Sequence, residues 1–200
     1  FLPCCPGEIG MYLGLTGQRL RAADTLYAGI GDVHVPADRL AALLDALAGA
    51  EALDGDGVAA ILRNFAVDPG EAPLAAHRAA IDRCFSGDSV EDILARLAAE
   101  DGDWGRAQIE TLSTKSPTAL KVTFRQLRLG ARIESIAEIM AMEYRLADRS
   151  FRGHDLFEGI RAVVIDKDGA PKWDPTTLDA VSDADVDEYF VPVAGEPTFG

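Results

Sequence analysis

The segment SPTALKVTFRQLRLG (116–130), followed by SIAEIMAMEYRLADRSFRGHDLFEGIRAVVIDKD (135–168), decides the fold of this chain. Ser116 and Pro117 are typical of a helix start, because a serine hydroxyl accepts from a free backbone N–H and proline needs no donor at the first helical position. The second part holds the longest periodic run, and the residues at core spacing are Ile136, Ile139, Met140, Tyr144 and Ala147. The pattern predicts two long amphipathic helices and a third that begins after Gly153 and reaches about Ile165.

Composition limits the class of protein. The chain has 200 residues, 48% of them hydrophobic, which suits one globular domain or a large part of one. The net charge of −14 argues against a nucleic-acid-binding surface, since phosphate contacts need a positive field. Three cysteines, two of them adjacent, make no disulfide framework, and no apolar run is long enough to span a membrane. The chain begins without Met and in mid-pattern, so we expect a fragment whose natural N-terminus precedes Phe1.

Shorter patterns fill the first 115 residues. IGDVHV (30–35) is the best strand candidate, because it is β-branched and bounded by Gly31 and Pro36. A clear amphipathic helix is predicted over Asp38–Ala48, with four leucines facing the core: Leu40, Leu43, Leu44 and Leu47. A short helix that ends near Gly17 is expected within 7–20. Further helices are expected within 19–30, 58–65, 74–84 and from about 88, with Asp88 as a helix cap. The acidic end is predicted to hold a turn pinned by Trp173 and a short helix within 183–190.

One basic stripe is the sharpest charge pattern in the chain. Lys121, Arg125, Arg128 and Arg132 recur at helical spacing, and the stretch 116–131 has no acidic residue. Such a face can hold the phosphates of an anionic ligand. The alternative is that these side chains pair with acidic residues elsewhere, including the acidic tail, which is the more common arrangement for arginine.

The chain alone presents no convincing catalytic set. His34, His77 and His154 have no metal-ligand spacing; His77 is expected to pack on an apolar stripe and His154, beside Asp155, to help cap a helix. The adjacent Cys4 and Cys5 match neither a zinc site nor a redox motif. GxSxG, P-loop and GxGxxG motifs are missing from the sequence.

Three stretches together resemble the crotonase (enoyl-CoA hydratase/isomerase) superfamily, and within it the hydrolase branch that acts on 3-hydroxyisobutyryl-CoA. The first is FLPCCPGEIGMYLGLTGQRLRAADTLYAGI (1–30), in which the LTG element is shared widely among crotonases. The second is SPTALKVTFRQLRLG, and the third comprises MEYRL (142–146) and RGHDLFEGIRAVVIDKDGAPKW (152–173), which are more specific to the hydrolase branch. The resemblance covers nearly the whole chain, and the segment 38–110 is its least diagnostic part.

The resemblance implies a fold and a chemistry. The chain, mainly α, would be the C-terminal helical part of an α/β crotonase-like (β-β-α spiral) fold, divided into the end of the core (1–35), a helical insert (36–115) and a C-terminal helical region (116–200). The implied reaction is thioester hydrolysis in valine breakdown, with an oxyanion hole and two carboxylates. In the family these carboxylates stand in P-E-x-x-I-G and P-D-x-G-G motifs just before the segment that matches Phe1, so no catalytic residue is assigned here.

Support roles can be carried over by similarity. Phe157, Arg161 and Lys167 would lie nearest the CoA arm, and Lys121 and Arg125 are added as candidate CoA contacts from the basic stripe. Acyl-CoA would be the substrate and no other cofactor or metal is expected. The C-terminal helices are expected to contact a second copy in a homo-oligomer, without a nucleic-acid or membrane partner. The location would be the cytoplasm, or the mitochondrion in a eukaryote.

Two alternatives stay open on sequence grounds. One is another crotonase, a hydratase or isomerase that uses the same oxyanion hole on a different acyl-CoA. The other is a helical fragment with no activity of its own, and we expect these 200 residues by themselves to release no CoA.

Overall fold

Helices carry the architecture in the computed structural model, which describes residues 1–50 and 54–198 and assigns no β-strand among them. In chain order the helices are α1 Ile9–Thr16, α2 Ala22–Tyr27, α3 Leu40–Ala48, α4 Gly55–Phe65, α5 Arg78–Phe85, α6 Val90–Ala98, α7 Asp103–Ser113, α8 Pro117–Gly130, α9 Ile136–Arg152, α10 His154–Ile160 and α11 Asp183–Glu188. Short 3-10 turns lie at Leu2–Cys4, Ala37–Arg39, Pro73–His77 and Leu178–Ala180, and a π turn at Arg161–Ile165 continues α10. The mainly α prediction is confirmed.

Helix α1 lies at the centre of the principal core. Its sequence IGMYLGLT is apolar on all sides, and such a helix must be surrounded by protein. It packs against α5, α7 and α8, and the ring of Tyr12 meets Phe85 edge-on with centroids 5.3 Å apart. Gly17 ends α1 with φ +68°, the left-handed conformation that glycine adopts at little cost, as the sequence predicted.

The principal core crosses two of the predicted boundaries. Its buried residues run from Cys5 in the first segment through Ile81 and Ile93 in the insert to Leu127 in α8. Helices α5, α6 and α7 therefore pack on the same core as α1 and α8. The division of the chain at 35/36 and 115/116 stays a prediction.

A second, smaller core is closed by the acidic C-terminal segment. Val181 and Val186 of this segment are buried with Val122, Met142 and Leu146 from α8 and α9. Arg145 fastens the end of the segment, because its guanidinium donates to both carboxylate oxygens of Glu196 at 2.7 and 2.8 Å. The short helix predicted in this segment is confirmed as α11.

Helix α8 begins as the sequence predicted. The Ser116 hydroxyl accepts from the Ala119 N–H at 3.0 Å and Pro117 takes the first helical position. Leu120 and Leu127 are buried, so the predicted apolar stripe faces the core.

The strand prediction for IGDVHV is wrong. Residues 30–35 are irregular, and among the described residues their one long-range backbone bond runs from the Val67 N–H to the His34 carbonyl at 2.9 Å. A strand needs a neighbouring strand to satisfy its backbone groups, and the part of the chain that the structure describes supplies none.

Two predicted core stripes are not buried as predicted. In α3 only Leu43 is buried, whereas Leu40 and Leu44 are exposed. In α9 the stripe that starts at Ile136, which is 77% exposed, points outward, and the buried residues are Met142 and Leu146. The two faces of α9 lie about 130° apart around the helix. Both faces of α9 are apolar, so the hydrophobic periodicity predicted the helix but not which face packs against the core.

Three local predictions need correction. Ser89, not Asp88, caps α6, because its hydroxyl accepts from the Asp92 N–H at 3.0 Å. His77 is exposed rather than packed on an apolar stripe, and its ring stacks on Trp104 with centroids 5.3 Å apart. Neither His154 nor Asp155 caps α10: Gly153 is the N-cap residue, and Asp155, in the first turn, bonds to other segments.

Candidate functional site

A cavity of about 580 Å³ lies between α1, α8, α9 and α10. Its walls are mostly apolar, with Leu15 from α1, Leu120 from α8, Leu146 from α9 and Ile160 from α10. Several wall positions are small: Gly14, Gly17, Gly153 and Gly159. A mostly apolar cavity of this size with a few polar groups at one edge is the usual form of a binding site.

The polar edge of the cavity is a set of bonds that ties three segments together. The Ser116 hydroxyl donates to the Asp155 carboxylate, and the other oxygen of Asp155 accepts from the Asp174 N–H at 2.9 Å. The indole N–H of Trp173 donates to the Thr114 carbonyl at 3.0 Å, so the predicted pinning by Trp173 is confirmed. The starts of α8 and α10 and the turn at 173–174 are therefore held in one arrangement beside the cavity.

Tyr189 from the end of the C-terminal segment also lines this edge. Burial raises the pKa of its hydroxyl above the ordinary value, and the nearby Asp155 carboxylate acts in the same direction. The hydroxyl is therefore neutral near pH 7 and is not available there as a base.

Arg161 organises the turn that follows α10. Two of its N–H groups donate to the two carboxylate oxygens of Glu158, at 2.9 and 2.8 Å. Its remaining bonds run to Asp166 and Asp168, each at 2.7 Å, and to the Ala170 carbonyl at 3.2 Å. These bonds match the five N–H donors of a guanidinium, so Arg161 has no donor left for a ligand phosphate.

Glu158 is the most perturbed carboxylate of this turn. Its pKa falls to about 2, chiefly because the Arg161 guanidinium stabilises the charged form and also because the Lys172 N–H donates to it at 2.7 Å. A carboxylate held in this way stays charged and is not suited to accept a proton near pH 7. Its role in the described residues is to hold Arg161 and residue 172.

Phe157 and Lys167 stand on the outside of the same region. Phe157 is 55% exposed on α10. Lys167 is exposed between Asp166 and Asp168 with φ +56°, a conformation that side-chain-bearing residues seldom adopt. With the described residues Lys167 makes no ion pair, so its ammonium group is open to an anionic ligand.

Lys121 and Arg125 lie on another face, in ion pairs. Lys121 pairs with Glu91 at 2.8 Å and donates to the Val181 carbonyl at 2.9 Å. Arg125 pairs with Asp183 at 3.4 Å and with Asp187, both from the acidic tail. For these two residues the structure shows the pairing that the sequence offered as the alternative to phosphate binding.

Arg128 shows the same behaviour more strongly. It binds both carboxylate oxygens of Glu8 at 3.0 and 2.9 Å, and it donates to the carbonyls of Phe85 and Gly87. Its guanidinium also lies over the Phe124 ring, 5.3 Å from the centroid. This stripe residue joins α1, the end of α5 and α8.

The five predicted contact residues thus form two groups. Phe157, Arg161 and Lys167 share the α10 turn, whereas Lys121 and Arg125 line a separate cavity of about 110 Å³ with Asp183. No hydrogen bond or ion pair between described residues joins the groups. Whether any of the five contacts CoA stays a prediction.

Sequence reasoning missed two features of the site. The Glu158–Arg161 pair could have been predicted, since residues three apart on a helix are neighbours and an acid before a base is a favourable order. The Ser116–Asp155 bond joins residues 39 positions apart and leaves no local pattern in the sequence.

The comparison with known families shows which family this chain belongs to. The family model described as enoyl-CoA hydratase/isomerase matches residues 1–190. The chain belongs to the enoyl-CoA hydratase/isomerase family. The resemblance inferred from FLPCCPGEIG, MEYRL and RGHDLFEGIRAVVIDKDGAPKW is thereby confirmed.

Two curated relatives of this chain carry the same name. The 3-hydroxyisobutyryl-CoA hydrolase, mitochondrial, of Xenopus laevis is 40% identical over 195 residues, which is 95% of this chain and 50% of the relative. The human protein of the same name is 37% identical over 195 residues, again 95% of this chain and 50% of the relative. The chain spans about half the length of these curated relatives.

Solved structures of the family agree on the fold. A carnitinyl-CoA dehydratase from Mycobacterium thermoresistibile superposes with a TM-score of 0.87 at 39% identity, covering 99% of this chain and 55% of that one. An enoyl-CoA hydratase from Rhodobacter sphaeroides 2.4.1 gives a TM-score of 0.82 at 33% identity, covering 98% and 55%. The helices described above are therefore the arrangement found in one half of crotonase-fold proteins.

Proposed function

We propose that this chain is the helical half of an acyl-CoA thioester hydrolase that converts 3-hydroxyisobutyryl-CoA into 3-hydroxyisobutyrate and CoA. The observation that carries the proposal is the 40% identity over 195 residues with relatives that bear this name. The stretches MEYRL and RGHDLFEGIRAVVIDKDGAPKW lie within the matched region, and the second builds the Arg161 turn. A place in valine breakdown is part of the same proposal.

The reactive carboxylates are proposed to lie in polypeptide that precedes Phe1. The geometry supports this proposal, because two carboxylates with a lowered pKa among the described residues are each bound to an arginine that holds a segment in place. Glu158, with a pKa of about 2, is bound by Arg161, and Arg145 lowers the pKa of Glu196 by donating to its carboxylate. Neither is placed to manage water or protons at a thioester.

Lys167 is the best candidate of the five for a direct CoA contact. It offers an open ammonium group on a turn that Arg161 holds rigid, and phosphate groups favour such a cation. Arg161 is better described as the residue that positions this turn. The proposed location follows the substrate and is the cytoplasm or, as the names of the relatives indicate, the mitochondrion.

The test is a thioesterase assay on the full-length protein. Purified protein is mixed with 3-hydroxyisobutyryl-CoA, and the released CoA thiol is measured with a thiol reagent alongside mass analysis of the acid product. Release of CoA together with 3-hydroxyisobutyrate supports the proposal. A protein that leaves this thioester intact contradicts it.

A hydratase or dehydratase is the second candidate. It is favoured by the two similar solved structures, which are a carnitinyl-CoA dehydratase and an enoyl-CoA hydratase. The same preparation is given a 2-enoyl-CoA, and loss of the conjugated double bond is followed by absorbance. Hydration without thiol release would select this alternative.

A further inference from the structure

The segment 181–198, which we call the C-terminal strap, crosses α8 and α9 and contains the short helix α11. Its backbone–backbone bonds are local, and the one at its start runs from the Val181 N–H to the Leu178 carbonyl at 3.0 Å. Among the described residues no backbone–backbone bond joins the strap to α8 or α9. The strap is therefore attached to these helices by its side chains and by bonds to its carbonyl groups.

Cationic side chains make every hydrogen bond that the structure shows between the strap and the helices α8 and α9. Two of the cations are on α8: Lys121 donates to the Val181 carbonyl at 2.9 Å, and Arg125 pairs with Asp183 and Asp187. The side chains of these two aspartates are 91% and 65% exposed. Exposed ion pairs contribute little to stability, so the two pairs of Arg125 are weak attachments.

The third cation, Arg145 of α9, makes the strongest attachment. It donates to both carboxylate oxygens of Glu196 at 2.7 and 2.8 Å and to the Phe190 carbonyl at 3.2 Å. The side chains of Arg145 and Glu196 are only 26% and 20% exposed, so water and salt screen this pair less than an exposed one. Arg145 thus holds the middle and the end of the strap at once.

The apolar contact beneath the strap is small. Val181 and Val186 are the fully buried residues of the strap, and they cover Val122, Met142 and Leu146 of α8 and α9. Segments with few buried apolar contacts and few backbone bonds to the rest of a protein are the ones that open locally. The strap also has five acidic residues and no basic one, so its charges repel one another when they lose their cationic partners.

The strap borders the cavity of about 580 Å³. Tyr189 is part of the strap and lines the polar edge of this cavity, and Leu146, which the strap covers, lines the same cavity. Movement of the strap away from α9 would therefore remove the Tyr189 hydroxyl from the edge and expose the apolar side chains beneath.

We propose that the C-terminal strap opens and closes as a unit over α8 and α9 while the principal core stays folded, and that Arg145 is the residue that holds it closed. The strap is then a conformational device that sets how much of the cavity edge is covered. This inference does not rest on the proposed function, because it requires no substrate and no turnover.

The test is hydrogen exchange of the full-length protein, followed by mass spectrometry on peptides from the strap and from α5, which belongs to the principal core. In the parent protein the strap amides should exchange faster than those of α5. Arg145→Gln should speed exchange in the strap by about tenfold, as expected for the loss of a charged hydrogen-bonded partner, and leave α5 unchanged. The matched control Arg106→Gln removes an exposed pair with Asp103 on α7 and should change neither rate.

One common exchange rate for the strap and α5 would overturn the proposal, because the strap would then open only when the whole protein unfolds. A strap that exchanges no faster in Arg145→Gln than in the parent protein would overturn it as well. If Arg145→Gln does not fold, Glu196→Gln removes the same ion pair from the side of the strap. The tenfold increase should then appear in the strap alone, and an unchanged rate, or an equal increase in α5, would contradict the proposal.

Discussion

Gly10 lies at a position where the structure leaves no space for a side chain. It lies in α1, and a Cβ atom built there falls 1.8 Å from the Leu2 carbonyl oxygen and 2.6 Å from the Leu2 carbonyl carbon. Ordinary contact begins at 3.4 Å, so the two backbones would have to separate by 1.6 Å (3.4 − 1.8). Because the obstacle is backbone, rotation of a side chain cannot relieve it.

The expected cost of Gly10→Ala follows from three contributions. Displacing the first turn breaks the 3.1 Å bond from the Cys5 N–H to the Leu2 carbonyl, and such a bond contributes about 1 kcal/mol. Overpacking a core typically costs about 1–3 kcal/mol. Alanine regains about 1 kcal/mol of helix propensity. The net destabilisation is about 2 kcal/mol, which for a protein of this size lowers Tm by about 4–8 °C.

The assay is thermal and denaturant unfolding followed by circular dichroism, with Gly55→Ala as the matched control. Gly55 begins α4, and a Cβ there meets nothing within 4 Å. This control should leave Tm unchanged or raise it slightly, because alanine favours the helix. If Gly10→Ala proves as stable as the parent protein, the close approach of Leu2 to α1 is not present in solution and the reasoning fails.

Three further predictions concern the cores and the Arg161 turn. Phe85→Ala should cost about 3–5 kcal/mol in a denaturant titration, because Phe85 is fully buried against Tyr12; a loss below 1 kcal/mol would contradict this packing. Val186→Ala should lower the free energy of unfolding by about 1–3 kcal/mol, because Val186 is buried. Asp183→Asn removes an exposed pair with Arg125 and should lower the free energy of unfolding by less than about 1 kcal/mol. Equal effects would mean that ion pairs, rather than burial, attach the C-terminal segment. The lowered pKa of Glu158 stabilises the fold at pH values above 4.5, the ordinary pKa of a glutamate, and this stabilisation is lost as the pH falls towards about 2. Carbon NMR titration of Arg161→Gln should show a higher pKa for Glu158. An unchanged pKa would show that Arg161 does not cause the shift.

Local signals in the sequence predicted much of the fold. The start of α8 was predictable because the Ser116 cap and Pro117 act within one helical turn. The end of α1 at Gly17 was predictable for the same reason. The sequence could predict that the basic stripe pairs with acidic residues. It could not identify Asp183 and Asp187 as the partners of Arg125, since they follow it by 58 and 62 residues.

Orientation is the part that a periodic pattern does not determine. Helix α9 carries an apolar stripe from Ile136 and another through Met142 and Leu146, and the pattern gives both the same period. Which stripe faces the core depends on the segments that supply a partner, here Val181 and Val186 from the far end of the chain. The false strand at 30–35 has the same origin, because strand formation needs a neighbour that the local sequence does not contain.

The stretch that most strongly indicated the family encodes a rigid turn rather than a reactive group. Within RGHDLFEGIRAVVIDKDGAPKW, Glu158, Asp166 and Asp168 all bind Arg161, and Trp173 bonds to the end of α7 through Thr114. A guanidinium whose five donors are all engaged cannot also grip a phosphate, so direct CoA binding by Arg161 would require the turn to come apart. What this turn can do without rearrangement is present two adjacent surfaces. One is the Lys167 ammonium group and the other is the exposed apolar run Val163, Val164 and Ile165. The bonds of Arg161 to its three acids hold the turn that presents both.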